Sequence, residues 1–244
     1  MRQNVYLIIS LALAIFVVLL LFDQRNHSNL TFPDFGAALP AHYQVLGIDV
    51  SHHQGQINWE QVSKMKIKND SIQFVFLKLT EGVDFKDKYA LVNRKALDQR
   101  EVPYGGYHFY SPGKSAILQA KFFVENYTKS KLKPVLDIEV KGQLSVQSLN
   151  DSIIVFLNFV EQQLNVRPII YTYESFFTDF FQTSSLAKEW FWIANYTGSS
   201  NVFESPNVIA WQFTDKGTID GIKEKVDLNT AKPNFWKAAA WGKK

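Results

Sequence analysis

Cysteine is absent from the 244 residues. Disulfide bonds therefore contribute nothing to stability, and a structural zinc site built on thiolates is excluded. The glycine-rich signatures of phosphate binding are missing too. Neither a G-x-G-x-x-G nor a G-x-x-x-x-G-K-[ST] run occurs, and Gly105 and Gly106 sit inside a strand-like segment. No His-x-Glu-x-x-His arrangement exists, and His52 and His53 are sequential loop residues, so no metal and no cofactor are expected. Basic residues form no dense run. The 26 Lys and Arg against 23 Asp and Glu leave a net charge of +3, which gives nucleic-acid binding no specific support. Internal repeats and low-complexity tracts are also lacking.

One long apolar run is present. Val5 to Phe22 carries no charge and approaches the roughly 20 residues needed to cross a bilayer. Arg2 precedes it while Asp23 and Arg25 follow, an asymmetry that favours an inside amino terminus. The expectation is a transmembrane helix within an anchor at 1–24. The protein would be single-pass in the cytoplasmic membrane, with the rest of the chain on the extracytoplasmic side, in the periplasm or cell wall space. A cleaved signal peptide is the competing reading. Against it stand the length of the run and the lack of a small-x-small site in Phe22-Asp-Gln-Arg-Asn-His27.

Residues 25–44 are polar and broken by Pro33, Gly36 and Pro40, as a linker is. From Val45 onward, strand-like and helix-like segments alternate. Strands are expected at Val45 to Val50, Ile72 to Leu79, Tyr104 to Tyr110, Pro134 to Glu139 and Arg167 to Tyr171. Helices are expected near Trp59 to Lys68, Asp87 to Gln99, Lys114 to Tyr127 and Val146 to Leu164. The rhythm then changes. Trp190 to Ala194, Val208 to Phe213 and Val226 to Leu228 are joined by segments too short for regular crossover helices. The pattern predicts an α/β fold, an irregular (β/α) barrel over 45–232 whose last strands lack those helices, followed by a tail at 233–244.

Polar residues collect at or just beyond the carboxyl ends of these strands: Asp49, Lys78 and Glu81, His108 and Tyr110, Asp137 and Glu139, Tyr171, then Trp211 and Gln212. In a barrel those ends converge on one face. Asp137 and Glu139 are two apart on a strand, so both project the same way. Gathering Asp49, Asp137, Glu139 and Asp227 incurs repulsion and desolvation that a functional cleft would justify. At least one of them should keep its proton toward neutral pH. Tyr196 and Trp211 lie near the expected mouth, where aromatic rings offer flat surfaces to sugars.

Eight ordered segments strongly resemble the glycoside hydrolase family 25 lysozymes, the Chalaropsis-type N-acetylmuramidases. They are Gly47-Ile-Asp-Val-Ser-His-His-Gln-Gly55, Phe76-Leu-Lys-Leu-Thr-Glu-Gly82, Gly105-Gly-Tyr-His-Phe-Tyr110, Pro134-Val-Leu-Asp-Ile-Glu139, Ile170-Tyr-Thr172, Trp192-Ile-Ala194, Ala210-Trp-Gln-Phe213 and Val226-Asp-Leu-Asn229. The resemblance implies a modified barrel that hydrolyses the β-1,4 bond between N-acetylmuramic acid and N-acetylglucosamine. It implies Glu139 as general acid and base, Asp137 assisting the substrate's acetamido group, and Asp49 and Asp227 completing the acidic cleft. His108, Tyr110, Tyr171, Tyr196, Trp211, Gln212, Lys78 and Glu81 are the expected substrate contacts and supports. The expected partners are peptidoglycan strands and, through the N-terminal helix, the membrane, for a monomer that binds no nucleic acid. Two alternatives stay open: a barrel that grips peptidoglycan without cutting it, and a hydrolase of another N-acetylated glycan such as chitin.

Overall fold

A computed structural model describes residues 45–66, 71–198 and 200–241, together with the paired two-residue strands Leu30–Thr31 and Ala38–Leu39. Eight strands form a ring: β1 (Val45–Val50), β2 (Phe74–Glu81), β3 (Tyr104–Phe109), β4 (Val135–Asp137), β5 (Ile169–Tyr173), β6 (Phe191–Ala194), β7 (Val208–Gly217) and β8 (Val226–Ala231). Neighbours from β1 through β7 pair in parallel and in chain order. β8 runs the other way and closes the ring antiparallel to both β7 and β1. A short strand, Phe85–Lys86, is appended to the end of β2.

Strand periodicity sorts the core into two layers. On β1, Leu46, Ile48 and Val50 face outward to the helix layer, with Val75 and Leu77 of β2 and Leu136 and Ile138 beside them. Val45, Phe74, Phe76, Val135, Ile169 and Trp192 fill the ring's interior. The covering helices are α1 (Trp59–Lys64), α2 (Ala90–Gln99), α3 (Ala116–Asn126) and α4 (Val146–Leu164). α4 buries Leu149, Ile153, Phe156, Leu157 and Val160, a spacing that places all five on one face. Its start is capped by Ser145, whose side chain accepts from the Ser148 amide, and it ends at Asn165 in the left-handed region. After β5 the crossovers shrink to the short turns Glu174–Phe176, Phe177–Phe181, Ser185–Lys188 and Asn201–Glu204. The closed barrel and these reduced late connections agree with the sequence reading.

A final short helix, α5 (Phe235–Ala239), plugs the amino-terminal mouth of the barrel. The Phe235 ring lies 4.6 Å from that of Phe74, and Lys133 N donates to Ala239 O at 2.7 Å. Much of the segment set apart as a tail therefore packs as part of the barrel.

The membrane-spanning helix expected at the amino terminus is a correction. Among the described residues no helix is long and apolar enough to cross a membrane, and α4, the longest at 19 residues, is amphipathic. Val5 to Phe22 lies outside the described residues. The anchor is withdrawn, and with it the membrane as a partner and the single-pass placement in the cytoplasmic membrane.

The interior is filled without slack where β1 meets β2. A Cβ added at Gly47 would lie 2.4 Å from Phe74 Cζ, so the ring occupies the space a side chain would need. Gly47→Ala is expected to lower stability by about 1–3 kcal/mol through overpacking. A urea midpoint unchanged from wild type would contradict this packing.

Candidate active site

The carboxyl-terminal mouth of the ring opens into a cleft of about 300 Å³. The four expected acids arrive from three strands. Asp49 ends the inward row of β1, and Asp227 begins β8 directly opposite it in the antiparallel register. Asp137 closes β4 and Glu139 lies two residues beyond, with Ile138 turned outward into the helix layer. The period of two thus sends both acids to the cleft and the intervening isoleucine to the core.

Asp49 is 6% exposed and is held by two side-chain amides. Gln212 Nε2 donates to its Oδ2 at 2.9 Å and Asn229 Nδ2 donates to the same oxygen at 2.7 Å. Each amide is itself oriented by an aromatic residue. Tyr171 and Tyr196 hydroxyls donate to Gln212 Oε1 at 2.8 and 2.6 Å, and Trp192 Nε1 donates to Asn229 Oδ1 at 2.8 Å. The tyrosine and tryptophan walls therefore set which end of each amide faces the carboxylate.

Burial disfavours charge on all four acids. It drives Asp49 well up, with the Asp227 charge adding to the effect against the two amide bonds. It drives Asp137 well up, reinforced by Glu139. Glu139 is half-buried and is also raised by burial, against hydrogen bonds from Tyr173 and Asp137 and the positive charge of Lys78. The charge of Glu139 thus adds to the burial that raises Asp137, and the two acids titrate as a pair. Asp137 Oδ1 is buried and has no hydrogen-bond donor among the described residues. Lys78 Nζ pairs with Glu81 Oε2 at 2.7 Å and lies 4.7 Å from the Phe109 ring centre, so Lys78 lines the cleft while Glu81 braces it.

Glu81 reaches the cleft only through Lys78, and three further expected contacts are not brought to it at all. His108 is fully buried on the outer side of β3, stacked 5.1 Å from Phe156 and bonded to Thr80 Oγ1 at 2.8 Å. Burial lowers it to about 3, so the imidazole is neutral. Tyr110 is also fully buried, edge-on to Phe156. Trp211 stacks 4.3 Å from Phe203 and donates from Nε1 to Asn195 O at 2.7 Å. All three face the helix or loop layer because they have the opposite parity to the inward residues of their strands. Tyr107 and Phe109 occupy the inward positions of β3 instead. Also missed were Tyr173, Trp192, His53, Gln54 and Asp215, all of which line the cleft. Tyr173 was legible, being two residues past Tyr171 on the same strand. Asp215 was not, because β7 breaks register between Thr214 and Gly217. Among the described residues no cluster of side chains is arranged to hold a metal ion.

A β/α barrel with paired carboxyl groups sunk at the carboxyl ends of its strands has the build of a glycosidase. Comparison with known proteins narrows this. The model of the glycosyl hydrolases family 25 matches residues 48–222. Lysozyme M1 of Streptomyces globisporus is 30% identical over 201 residues, covering 76% of this chain and 67% of that protein. The uncharacterized protein YegX of Escherichia coli (strain K12) is 33% identical over 197 residues, covering 80% and 72%. The crystal structure of a bacterial lysozyme from Streptomyces coelicolor superposes with a TM-score of 0.67 at 29% identity, covering 77% of this chain and 91% of that one. The chain belongs to glycosyl hydrolase family 25. The general activity that membership supports is that of a glycosidase acting on peptidoglycan.

The acidic cluster has a stability signature. Burial pushes Asp227 up to about 6; the hydrogen bond with Asp49 opposes this, and repulsion from Asp215 and Glu139 adds to it. The folded state thus holds this proton more tightly than the unfolded chain, whose carboxyl titrates near ~3.9. The resulting stability is fully present below that value and is lost as pH rises through about 6. Asp227→Asn, which is neutral at every pH, is expected to raise the melting temperature at pH 7 by roughly 2–6 °C and to change it little at pH 4. An equal shift at both pH values would show that charge burial is not the cause.

Proposed function

We propose that the protein is a muramidase, hydrolysing the β-1,4 bond between N-acetylmuramic acid and N-acetylglucosamine. The observation that carries this reading is the Asp137–Glu139 pair, two carboxyls side by side in the cleft with burial raising both. In the proposed reaction Glu139 gives its proton to the glycosidic oxygen as the bond to the anomeric carbon breaks. A separate carboxylate nucleophile would have to approach the opposite side of that carbon, and a neighbour on the same strand face is poorly placed to do so. The substrate's own acetamido oxygen attacks instead, and Asp137 accepts a hydrogen bond from the acetamido N–H and offsets the positive charge that develops there. The carboxylate left on Glu139 then takes a proton from water, which opens the cyclic intermediate and restores the acid.

The donor-free oxygen of Asp137 supports this division of labour, because an acetamido N–H would supply what it lacks. Its arrival would also favour the ionised form of Asp137 and leave the shared proton on Glu139. Asp49 and Asp227, clamped through Gln212 and Asn229, hold the cleft's shape and potential. Tyr171, Tyr196, Gln212 and Lys78 are placed here as substrate-side contacts, joined by Tyr173, whose hydroxyl reaches Glu139.

Digestion of purified peptidoglycan followed by mass analysis of the reducing ends tests the bond cleaved. Muramic acid at those ends is the expected result; glucosamine ends, or no release, would overturn the assignment. Glu139→Gln should lower the rate by about 10²–10⁴-fold with the fold retained by circular dichroism. Near-normal turnover in that variant would remove Glu139 from proton transfer. The alkaline limb of kcat/KM should lie above the ordinary glutamate range, because the cleft raises Glu139.

A further inference from the structure

A second cavity, of about 570 Å³, lies beyond the acidic cleft and shares Tyr173 and Tyr196 with it. The reaction described above leaves this space unused. The tyrosines form the wall between the two: Tyr173 lines the cleft with Glu139, and the Tyr196 hydroxyl donates to Gln212 Oε1 at 2.6 Å. Both rings are partly exposed, at 36% and 43%, so they present surface as well as closing the cleft. The far side is built from the β5–turn junction and the β6 loop. Glu174, Thr178 and Asp179 come from the first and Asn195 from the second. Among the described residues none that lines the cavity is basic. Glu174 is tied to Asn195 Nδ2 and Ser200 Oγ, which fixes its carboxylate against the loop, while Asp179 is exposed.

Position and substrate chemistry together suggest an occupant. In the proposed reaction the acetamido group on C2 of the cleaved muramic acid faces Asp137. The next ring carbon, C3, bears the lactyl ether from which the peptide branch grows. In the sheet Asp137 pairs with Tyr171, and Tyr173 is the next inward residue along that strand. In the proposed binding mode the C3 substituent leaves on the Tyr173 side, where the second cavity adjoins the cleft across the tyrosine wall. That space is larger than the acidic cleft and suits a peptide more than a single hydroxyl group. A peptide branch that is not cross-linked ends its diamino acid in a primary ammonium group, and the cavity supplies two carboxylates with no cation to compete.

We infer that the cavity beyond the Tyr173 and Tyr196 wall binds the peptide branch of the substrate and takes its free ammonium group through Glu174 and Asp179. The inference rests on the muramidase reading for the direction of the branch. It makes the protein selective for strands whose amines are free over strands in which they are acylated by cross-links.

The test uses the full chain and three soluble probes: a disaccharide carrying a peptide with its amine free, the same compound with the amine acetylated, and the disaccharide with the peptide removed. Binding is read by calorimetry, and hydrolysis is read separately on longer strands prepared in the same three ways. The free-amine probe should bind most tightly. Asp179→Asn should weaken that probe alone, by about two- to fivefold, as expected for a partly exposed ion pair. Hydrolysis by the variant should show the loss in KM, with kcat unchanged. Glu174→Gln should act in the same direction. Equal affinity of the wild type for free and acetylated amines would overturn the inference. A loss in Asp179→Asn that persists on the peptide-free disaccharide would also overturn it, by making the cavity a sugar site. Failure to hydrolyse any of the three strands would refute the muramidase reading, while the amine dependence of binding is still decided by calorimetry.

Discussion

The site depends on holding like charges together in a confined space. Asp49 sits opposite Asp227, Asp137 sits beside Glu139, and burial works against the ionised form of each. The ring holds them by committing its interior side chains in sequence. Aromatic donors fix the amides of Gln212 and Asn229, and those amides fix Asp49. The residues that look like a hydrophobic lining are thus the means by which the acids are positioned. A buried polar network of this kind tolerates little partial loss, since one missing partner leaves the next group unsatisfied.

The barrel was legible because its strands are apolar on both sides, as strands covered by helices on one face and packed into a ring on the other must be. The acidic pair was legible for a related reason. Two carboxyls separated by one isoleucine allow only one facing that puts the isoleucine in the core. On β3 the same period misled. Tyr104 to Tyr110 is rich in aromatic and polar residues at both parities, and the side chains with the most evident chemistry, His108 and Tyr110, are those that serve the helix layer. Composition could not separate the two faces there; pairing with β4, which sets Tyr107 beside Val135, does so.

The direction of β8 was harder to read than its existence. Asp227 stands at the amino end of its strand, where a parallel strand would have carried it to the wrong mouth of the barrel. It reaches the cleft because β8 is reversed, following a hairpin-like return from β7. The same hairpin carries Asp215 past the irregular stretch of β7 to the rim, a placement set by broken register rather than by strand alternation. The late turns that replace full helices also leave the second cavity uncovered beside β5 and β6.

Closure by β8 also bears on how the molecule is made. The ring's final seam joins Val45–Val50, near the beginning of the ordered barrel, to Val226–Ala231, near its end, and Phe235 then seals the opposite mouth. Until β8 is made, the seven earlier strands have no partner to close them, and β1 and β7 each keep an unpaired edge. The carboxylate pocket cannot assemble until β8 has left the ribosome, so products cut before it would have an exposed adhesive edge and no working centre.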